Sequence, residues 1–383
     1  MAYRTRTRDD HLRSDGTPKR ILALDGGGLR GMLSLGILQR IEATLRERHG
    51  GGADFRLSHY FDLIAGTSTG AIIAAALARG MAVDEILAEY RRLGRDVFRK
   101  SLLRQGALRA KYDEDKLIEG LQRVYGAATT LGDASLQTGL LVMTKRLDSG
   151  SSWPISNSPR GRYFADRPSG AIGNGAYPLW QVVRASTAAP SFFDPEHIAI
   201  SAGVEGEFVD GGVSPFNNPA LQAVMYATLD GYRIGWPSGA ERLMVVSVGT
   251  GTADPRVQRS SLAAMHAINS LKALMDDCAT LQETLLQWMS ASPQARVIDR
   301  ELGDLRHDLI GGRALLSYLR YNADLSHDEV RKLDPALSDE LIASLSEMDA
   351  PENMETLFHL GTLLADREVQ SDDFPSVFDL PAA

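Results

Sequence analysis

Apolar positions change period along the chain, and the changes mark the elements. Residues 21–25 (ILALD) form a short apolar run that ends in a glycine cluster, the pattern of a buried strand. Residues 32–47 then place Met32, Leu35, Ile37, Leu38, Ile41 and Leu45 at helical spacing. After a glycine-rich turn at 50–52, residues 61–65 (FDLIA) read as a second strand, and GTSTG leads into an alanine-rich helix over 69–79. Strand–turn–helix occurs twice in succession, the grammar of a mainly parallel sheet with helices on its faces. Further strands are predicted at 139–144 (GLLVMT), 196–200, 206–209 and 243–248 (LMVVSV), and helices at 83–99, 113–125, 179–186 and 218–229. Strand signals stop near Gly251, and residues 259–291 and 337–365 carry helical spacing broken by proline, glycine and acidic residues. The expected organisation is a flexible arm over 1–19, an α/β domain over 20–252 and a mostly helical extension over 253–383. The last residues, 371–383, hold two prolines and are expected to pack loosely.

Composition narrows the functional classes. The 383 residues are 44% hydrophobic and 23% charged, ordinary for a globular protein with a sizeable core. The formal charge is −8, from 41 basic and 49 acidic residues, which disfavours a nucleic-acid polymer as partner. Cys278 is the single cysteine, so neither an intramolecular disulfide nor a cysteine metal cluster can form, and no metal or cofactor is expected. A lone cysteine suits a reducing cytoplasm. The first twenty residues lack the apolar run of a secretory signal. The longest apolar run, Ala71 to Ala78, falls far short of the ~20 residues of a spanning helix.

Three glycine-marked strand ends carry the candidate chemistry. Residues 25–31 read DGGGLRG, and Gly26, Gly28 and Gly31 match G-x-G-x-x-G. That spacing suits a dinucleotide pyrophosphate at a helix N-terminus. Such a site also needs an acidic residue closing the second strand; Asp54 precedes that strand and Asp62 opens it. Three adjacent glycines, Gly26, Gly27 and Gly28, suit instead a loop whose backbone N–H groups face an oxyanion, with Arg30 in support. Residues 66–70 (GTSTG) match G-x-S-x-G between a strand and a helix, which presents Ser68 on a sharp turn flanked by Gly66 and Gly70. A serine hydroxyl needs a base. His266, His307, His327 and His359 are available by chain order, but none follows a recognisable strand. Asp210 does, directly before Gly211 and Gly212 in EFVDGGVSPFNNP.

DGGGLRG, GTSTG and VDGG in this order resemble the patatin-like phospholipase family. The surroundings DLIAGTSTGAIIA, RASTAAPSFFDP, FVDGGVSPFNNPAL and VSVGTG extend the resemblance over roughly residues 20–252. It implies a three-layer α/β/α fold and hydrolysis of fatty acyl esters of phospholipids or other lipids by a serine–aspartate dyad. Ser68 is then the nucleophile and Asp210 the base. Gly26, Gly27 and Gly28 form the oxyanion hole, supported by Arg30 and Gly31. Ala71 departs from the family pattern, where many members carry another glycine, and the spacing from Asp210 to Asn217–Asn218 is slightly longer than usual. Some bacterial members are antiphage effectors switched on by cyclic nucleotides, so a cyclic-nucleotide activator is a second expectation.

Residues 91–111 (RRLGRDVFRKSLLRQGALRAK) carry six Arg, two Lys and one Asp, interleaved with Val97, Phe98, Leu102, Leu103 and Leu108. This pattern suits contact with anionic headgroups, or a solvated face. The expected location is cytoplasmic, with peripheral contact at a membrane.

Overall fold

The computed structural model describes residues 3–97, 113–190, 192–253 and 263–383. Its strands are β1 (Lys19–Leu24), β2 (Leu63–Thr67), β3 (Gly139–Arg146), β4 (Ser152–Ser156), β5 (Glu196–Ser201), β6 (Val204–Asp210), β7 (Leu243–Val248), β8 (Ser290–Ala291) and β9 (Leu316–Tyr321). They form one sheet in the order β5-β6-β3-β2-β1-β7-β9-β8, with β4 added on β3. Pairing is parallel from β3 through β2, β1, β7 and β9 to β8. It is antiparallel for β4, β5 and β6. The helices are α1 (Arg8–His11), α2 (Gly31–Arg48), α3 (Leu57–Tyr60), α4 (Thr69–Ala78), α5 (Val83–Val97), α6 (Glu114–Tyr125) and α7 (Leu179–Ser186). They continue as α8 (Ala220–Thr228), α9 (Ala263–Trp288), α10 (His327–Leu333), α11 (Asp339–Ser344) and α12 (Met354–Glu368).

The central strands are mostly apolar because helices cover both faces of the sheet. Successive side chains point to opposite sides. Leu22 and Leu24 of β1 join Met244, Val246 and Val248 of β7 in the core beneath α2, α4, α5 and α12. Ile21, Ala23, Leu243 and Val245 join the other core with Ala220 and Ala223 of α8 and Leu286 of α9. The fold is therefore the expected three-layer α/β/α arrangement around a mainly parallel sheet.

The strand pattern does not stop at residue 252. β9 pairs along the whole of β7's carboxyl half, and β8 adds a short edge. β9 reads LSYLRY, and its buried Ser317 and Arg320 break the apolar run that marks the other strands. Two residues of β8 are too few for any periodicity. α12 packs against α2 at closest range where Gly36 and Gly361 meet: a Cβ on Gly361 would lie 2.2 Å from the Leu33 carbonyl oxygen. The region after 252 is thus built into the same sheet and core.

Both termini also differ from expectation. Residues 3–19 are docked, not free. Buried Asp62 binds Arg6 at 2.7 Å, His11 at 2.9 Å and Arg20 at 3.1 Å. Burial opposes the Asp62 charge, but the Arg6 and Arg20 guanidinium groups and the His11 hydrogen bond outweigh it and hold the carboxyl well below its usual range. In the final segment Phe374 and Phe378 are buried, and Arg20 Nε donates to the Phe378 carbonyl at 2.7 Å. Apolar side chains spaced between prolines were enough to anchor it. Of the basic stretch 91–111, only residues up to Val97 are described; 98–111 lie outside the described residues.

Candidate active site

β3 brings the two candidate catalytic residues together. Its pairing with β2 ends at Met143 opposite Thr67. The next residue, Thr144, pairs with Asp210 of β6. β4 occupies the other edge of residues 141–145. Ser68 therefore leaves the sheet where Asp210 arrives along the same edge, and Ser68 Oγ donates to Asp210 Oδ2 at 2.5 Å.

Ser68 has φ 54° and ψ −123°. Among the described residues only Arg233 and Leu305 are other non-glycines with positive φ. Such a conformation persists only where the surroundings enforce it. A Cβ on Gly66 would lie 2.3 Å from the Gly70 carbonyl oxygen, and one on Gly70 would lie 2.1 Å from that of Leu24. The two glycines two places either side of Ser68 are thus required by contact between turn and sheet. The Ser68 N–H donates to Ser186 Oγ at 2.9 Å, and Ser186 Oγ donates to the Met143 carbonyl at 2.6 Å. Ser68 also heads α4, whose N-terminal dipole favours negative charge at Oγ.

Asp210 is held from three sides. Its backbone N–H donates to the Ala188 carbonyl at 3.0 Å, and its Oδ1 accepts the Gly212 N–H at 2.7 Å. Gly211 presses on the Met143 carbonyl, where a Cβ would come within 2.4 Å. Burial pushes the carboxyl up to about 6, against the lowering effects of the Ser68 and Gly212 hydrogen bonds and of the Arg184 charge. Arg184 is fully buried, donates to the Asp194 carbonyl at 3.0 Å and stacks over Phe193 at 5.2 Å.

The glycine loop faces this pair, with one correction. The Gly26 N–H donates to the Asn217 carbonyl at 3.1 Å, so it is already used and is not available to an oxyanion. The Gly26 carbonyl in turn accepts from Thr250 Oγ1 at 2.9 Å and Asn217 Nδ2 at 3.3 Å. Gly27 and Gly28 line the cavity beside Ser68, and their N–H groups have no acceptor among the described residues. A Cβ on Gly27 would strike Thr250 Oγ1 at 2.2 Å, and Gly28 has φ +58°. Gly31 opens α2 with room for no side chain beside Thr69 and Tyr90. Tyr90 Oη donates to the Gly28 carbonyl at 2.7 Å.

Arg30 does not play the expected supporting part. It is buried at the foot of the loop, and burial lowers its pKa against the pull of Asp276 and Asp25. Its side chain makes no hydrogen bond to the glycine loop among the described residues. The ion pair that holds the loop is Arg320 of β9, bidentate on Asp25 at 3.0 and 2.7 Å and donating also to Ser247 Oγ at 2.8 Å. Nothing in the local sequence around Arg320 signals this partner. Asn217, Thr250 and Ser186 fall inside the segments that carry the family resemblance, but their contacts emerge only in three dimensions.

Ser68 and Asp210 open into a cavity of about 250 Å³. Its far wall is apolar, with Ile72, Leu93, Leu117, Phe192, Phe193 and Val213, and Met275 and Met348 come from the region after 252. No histidine lines it among the described residues. Nor does any group of three or more His, Cys, Asp or Glu among the described residues form a metal site.

A serine on a forced strand-to-helix turn, bonded to a buried carboxylate and faced by a glycine loop, is an arrangement found at the edge of an α/β sheet. The family model for patatin-like phospholipase matches residues 22–224, and the chain belongs to that family. A cGAMP-activated phospholipase of Vibrio cholerae is 25% identical over 354 residues, covering 88% of this chain and 90% of that protein. A cUMP-AMP-activated phospholipase of Escherichia coli is 32% identical over 232 residues, covering 61% of this chain and 64% of that protein. Among solved structures, human GIVD cytosolic phospholipase A2 superposes with a TM-score of 0.47 at 13% identity, covering 94% of this chain and 59% of that one.

Proposed function

We propose that this chain hydrolyses fatty acyl esters of lipids through a Ser68–Asp210 dyad. The reading rests chiefly on the 2.5 Å Ser68–Asp210 hydrogen bond at the mouth of an apolar cavity. Ser68 Oγ attacks the ester carbonyl carbon while Asp210 Oδ2 takes its proton. The carbonyl oxygen becomes an oxyanion facing the N–H groups of Gly27 and Gly28; a donor of this kind contributes about 3 kcal/mol to the transition state. Asp210 then passes the proton to the departing alkoxide, which leaves as the alcohol or lysolipid. Water attacks the acyl-serine, gives its proton to Asp210 and releases the fatty acid, and the proton returns to Ser68. The acyl chain lies against Ile72, Leu93 and Leu117, each buried methylene contributing about 0.8 kcal/mol. Ser68→Ala and Asp210→Asn each abolish hydrolysis of a chromogenic acyl ester while far-UV circular dichroism is retained. Full activity in folded Asp210→Asn contradicts the dyad.

A second reading concerns control. The relatives above are named for activation by cGAMP and cUMP-AMP, and we infer that a cyclic dinucleotide raises the activity of this chain as well. Phospholipid hydrolysis with and without a cyclic-dinucleotide panel tests it; equal rates throughout mean constitutive activity. Among the described residues no helix is long and apolar enough to cross a membrane. Access to lipid is then from the water side, with 91–111 the proposed peripheral contact, to be measured by co-sedimentation with anionic against neutral vesicles.

A further inference from the structure

Four arginines line a second cavity, of about 490 Å³, remote from Ser68. Arg160, Arg162 and Arg167 come from the loop between β4 and α7, and Arg233 from the turn after α8. The only acidic residue lining it is Asp166, whose Oδ1 already accepts the Gly173 N–H at 2.8 Å. Among the described residues none of the four guanidinium groups pairs with a carboxylate within 4 Å; Arg167 Nη2 donates to the Arg162 carbonyl at 3.2 Å, and the chain as a whole is acidic, at −8. Arg160, Arg162 and Arg233 are exposed and Arg167 half-buried, so the four like charges face solvent together and present a locally positive surface to an anion.

The cavity is built on fixed backbone. The Arg162 N–H donates to the Tyr232 carbonyl at 3.3 Å, which ties the two loops together. The Arg167 N–H donates to the Ala171 carbonyl at 2.9 Å. The Arg167 guanidinium lies 4.3 Å from the centre of the Tyr163 ring and that of Arg162 lies 5.7 Å from it. Stacking of this kind holds the groups in place before a ligand arrives. Arg233 has φ +66°, a conformation that glycine or asparagine adopts more readily.

The cavity lies at the opposite end of the sheet from the dyad. β4 runs back along β3, and the Asn157 N–H that precedes the arginine loop bonds the Leu140 carbonyl. The Ser68 turn follows Met143, about 10 Å further along that strand. α8 begins beside Asn217 and Asn218, and its nine residues carry the chain about 13 Å away before Arg233.

We propose that this arginine cavity binds an anion carrying phosphate groups. Guanidinium forks match phosphate oxygens two at a time, and four of them suit a ligand with more than one phosphate. The chemistry is shared by a free polyphosphate compound and by a phosphorylated lipid headgroup. Because the cavity faces away from the dyad, the free compound is the expected source: a bilayer presented to Ser68 does not reach it. The inference is independent of the hydrolase reading.

The test uses the full chain, inorganic pyrophosphate as the soluble probe, and vesicles of phosphatidylcholine with or without phosphatidylinositol 4,5-bisphosphate. The variant is Arg160→Gln/Arg233→Gln, neither residue having a part in the dyad or its cavity. At low ionic strength, millimolar pyrophosphate raises Tm by about 2 °C in the parent, and the double variant binds at least about tenfold more weakly. Circular dichroism and chromogenic ester hydrolysis of the variant match the parent. Binding confined to phosphoinositide vesicles, and lost in the variant, supports the same chemistry with a headgroup as source. No binding to either probe, or binding that the variant leaves unchanged, overturns the proposal.

Discussion

Replacing Asp210 by asparagine is expected to remove activity and to raise stability at neutral pH. The carboxyl stands near 3.8 in an unfolded chain and is pushed up to about 6 by burial in the native fold. The native state therefore keeps a proton that the unfolded state releases. Below pH 3.8 both states are protonated and Asp210 carries no penalty. Between pH 3.8 and about 6 the unfolded state gains by ionising first, so native stability falls as pH rises. Above that window both states are ionised and the penalty is constant. At about 1.4 kcal/mol per tenfold change in proton affinity, it amounts to about 3 kcal/mol. The asparagine amide is isosteric with the carboxylate. Its oxygen still accepts the Gly212 N–H and its NH2 group donates to Ser68 Oγ, so most of that penalty disappears. Urea denaturation of parent and Asp210→Asn at pH 3.5 and pH 8 reads the difference: near zero at the lower pH and about 2–3 kcal/mol in favour of the variant at the higher. The same ionisation arms the base, so parent kcat/KM rises with pH to half its plateau near 6. A variant no more stable than the parent at pH 8 refutes the buried-carboxylate reasoning, as does a pH–rate profile with its midpoint at the ordinary aspartate value.

Two further outcomes follow from the contacts around the dyad. Ser186→Ala leaves the Ser68 N–H without its acceptor and the Met143 carbonyl without its donor; at about 1–3 kcal/mol for such a loss, kcat falls about 10- to 100-fold with KM little changed, and steady-state kinetics separates the two. Arg320→Ala strands the Asp25 carboxylate in the core and costs about 3–5 kcal/mol in chemical denaturation; a loss under about 1 kcal/mol speaks against the Arg320–Asp25 pair as the clamp of the glycine loop.

The parts of this molecule legible in the sequence are those where backbone geometry restricts residue choice. Gly66 and Gly70 can be read because a methyl at either one collides with a neighbouring carbonyl, and Asp210 because Gly211 must pass under Met143. The central strands are legible because both faces are dry, which leaves apolar runs such as ILAL and LMVV. β9 escapes the same test because buried Arg320 is paired with partners distant in the chain, above all Asp25, 295 residues away. The docked arm escapes for a similar reason: a polar segment with mixed charge reads as solvated until buried Asp62 is known to need Arg6 and the His11 hydrogen bond. Gly26 shows the limit at the site itself. Three glycines in a row mark a loop that approaches a ligand, but which N–H groups remain free depends on where Asn217 folds back.

Covalent capture by a long-chain alkyl fluorophosphonate, followed by peptide mapping, measures the nucleophile itself. The probe phosphonylates an activated serine that sits beside an apolar acyl site. A single adduct on Ser68 is predicted, absent from Ser68→Ala and strongly slowed in Asp210→Asn. An adduct on another residue, or undiminished labelling of Asp210→Asn, contradicts the Ser68–Asp210 dyad.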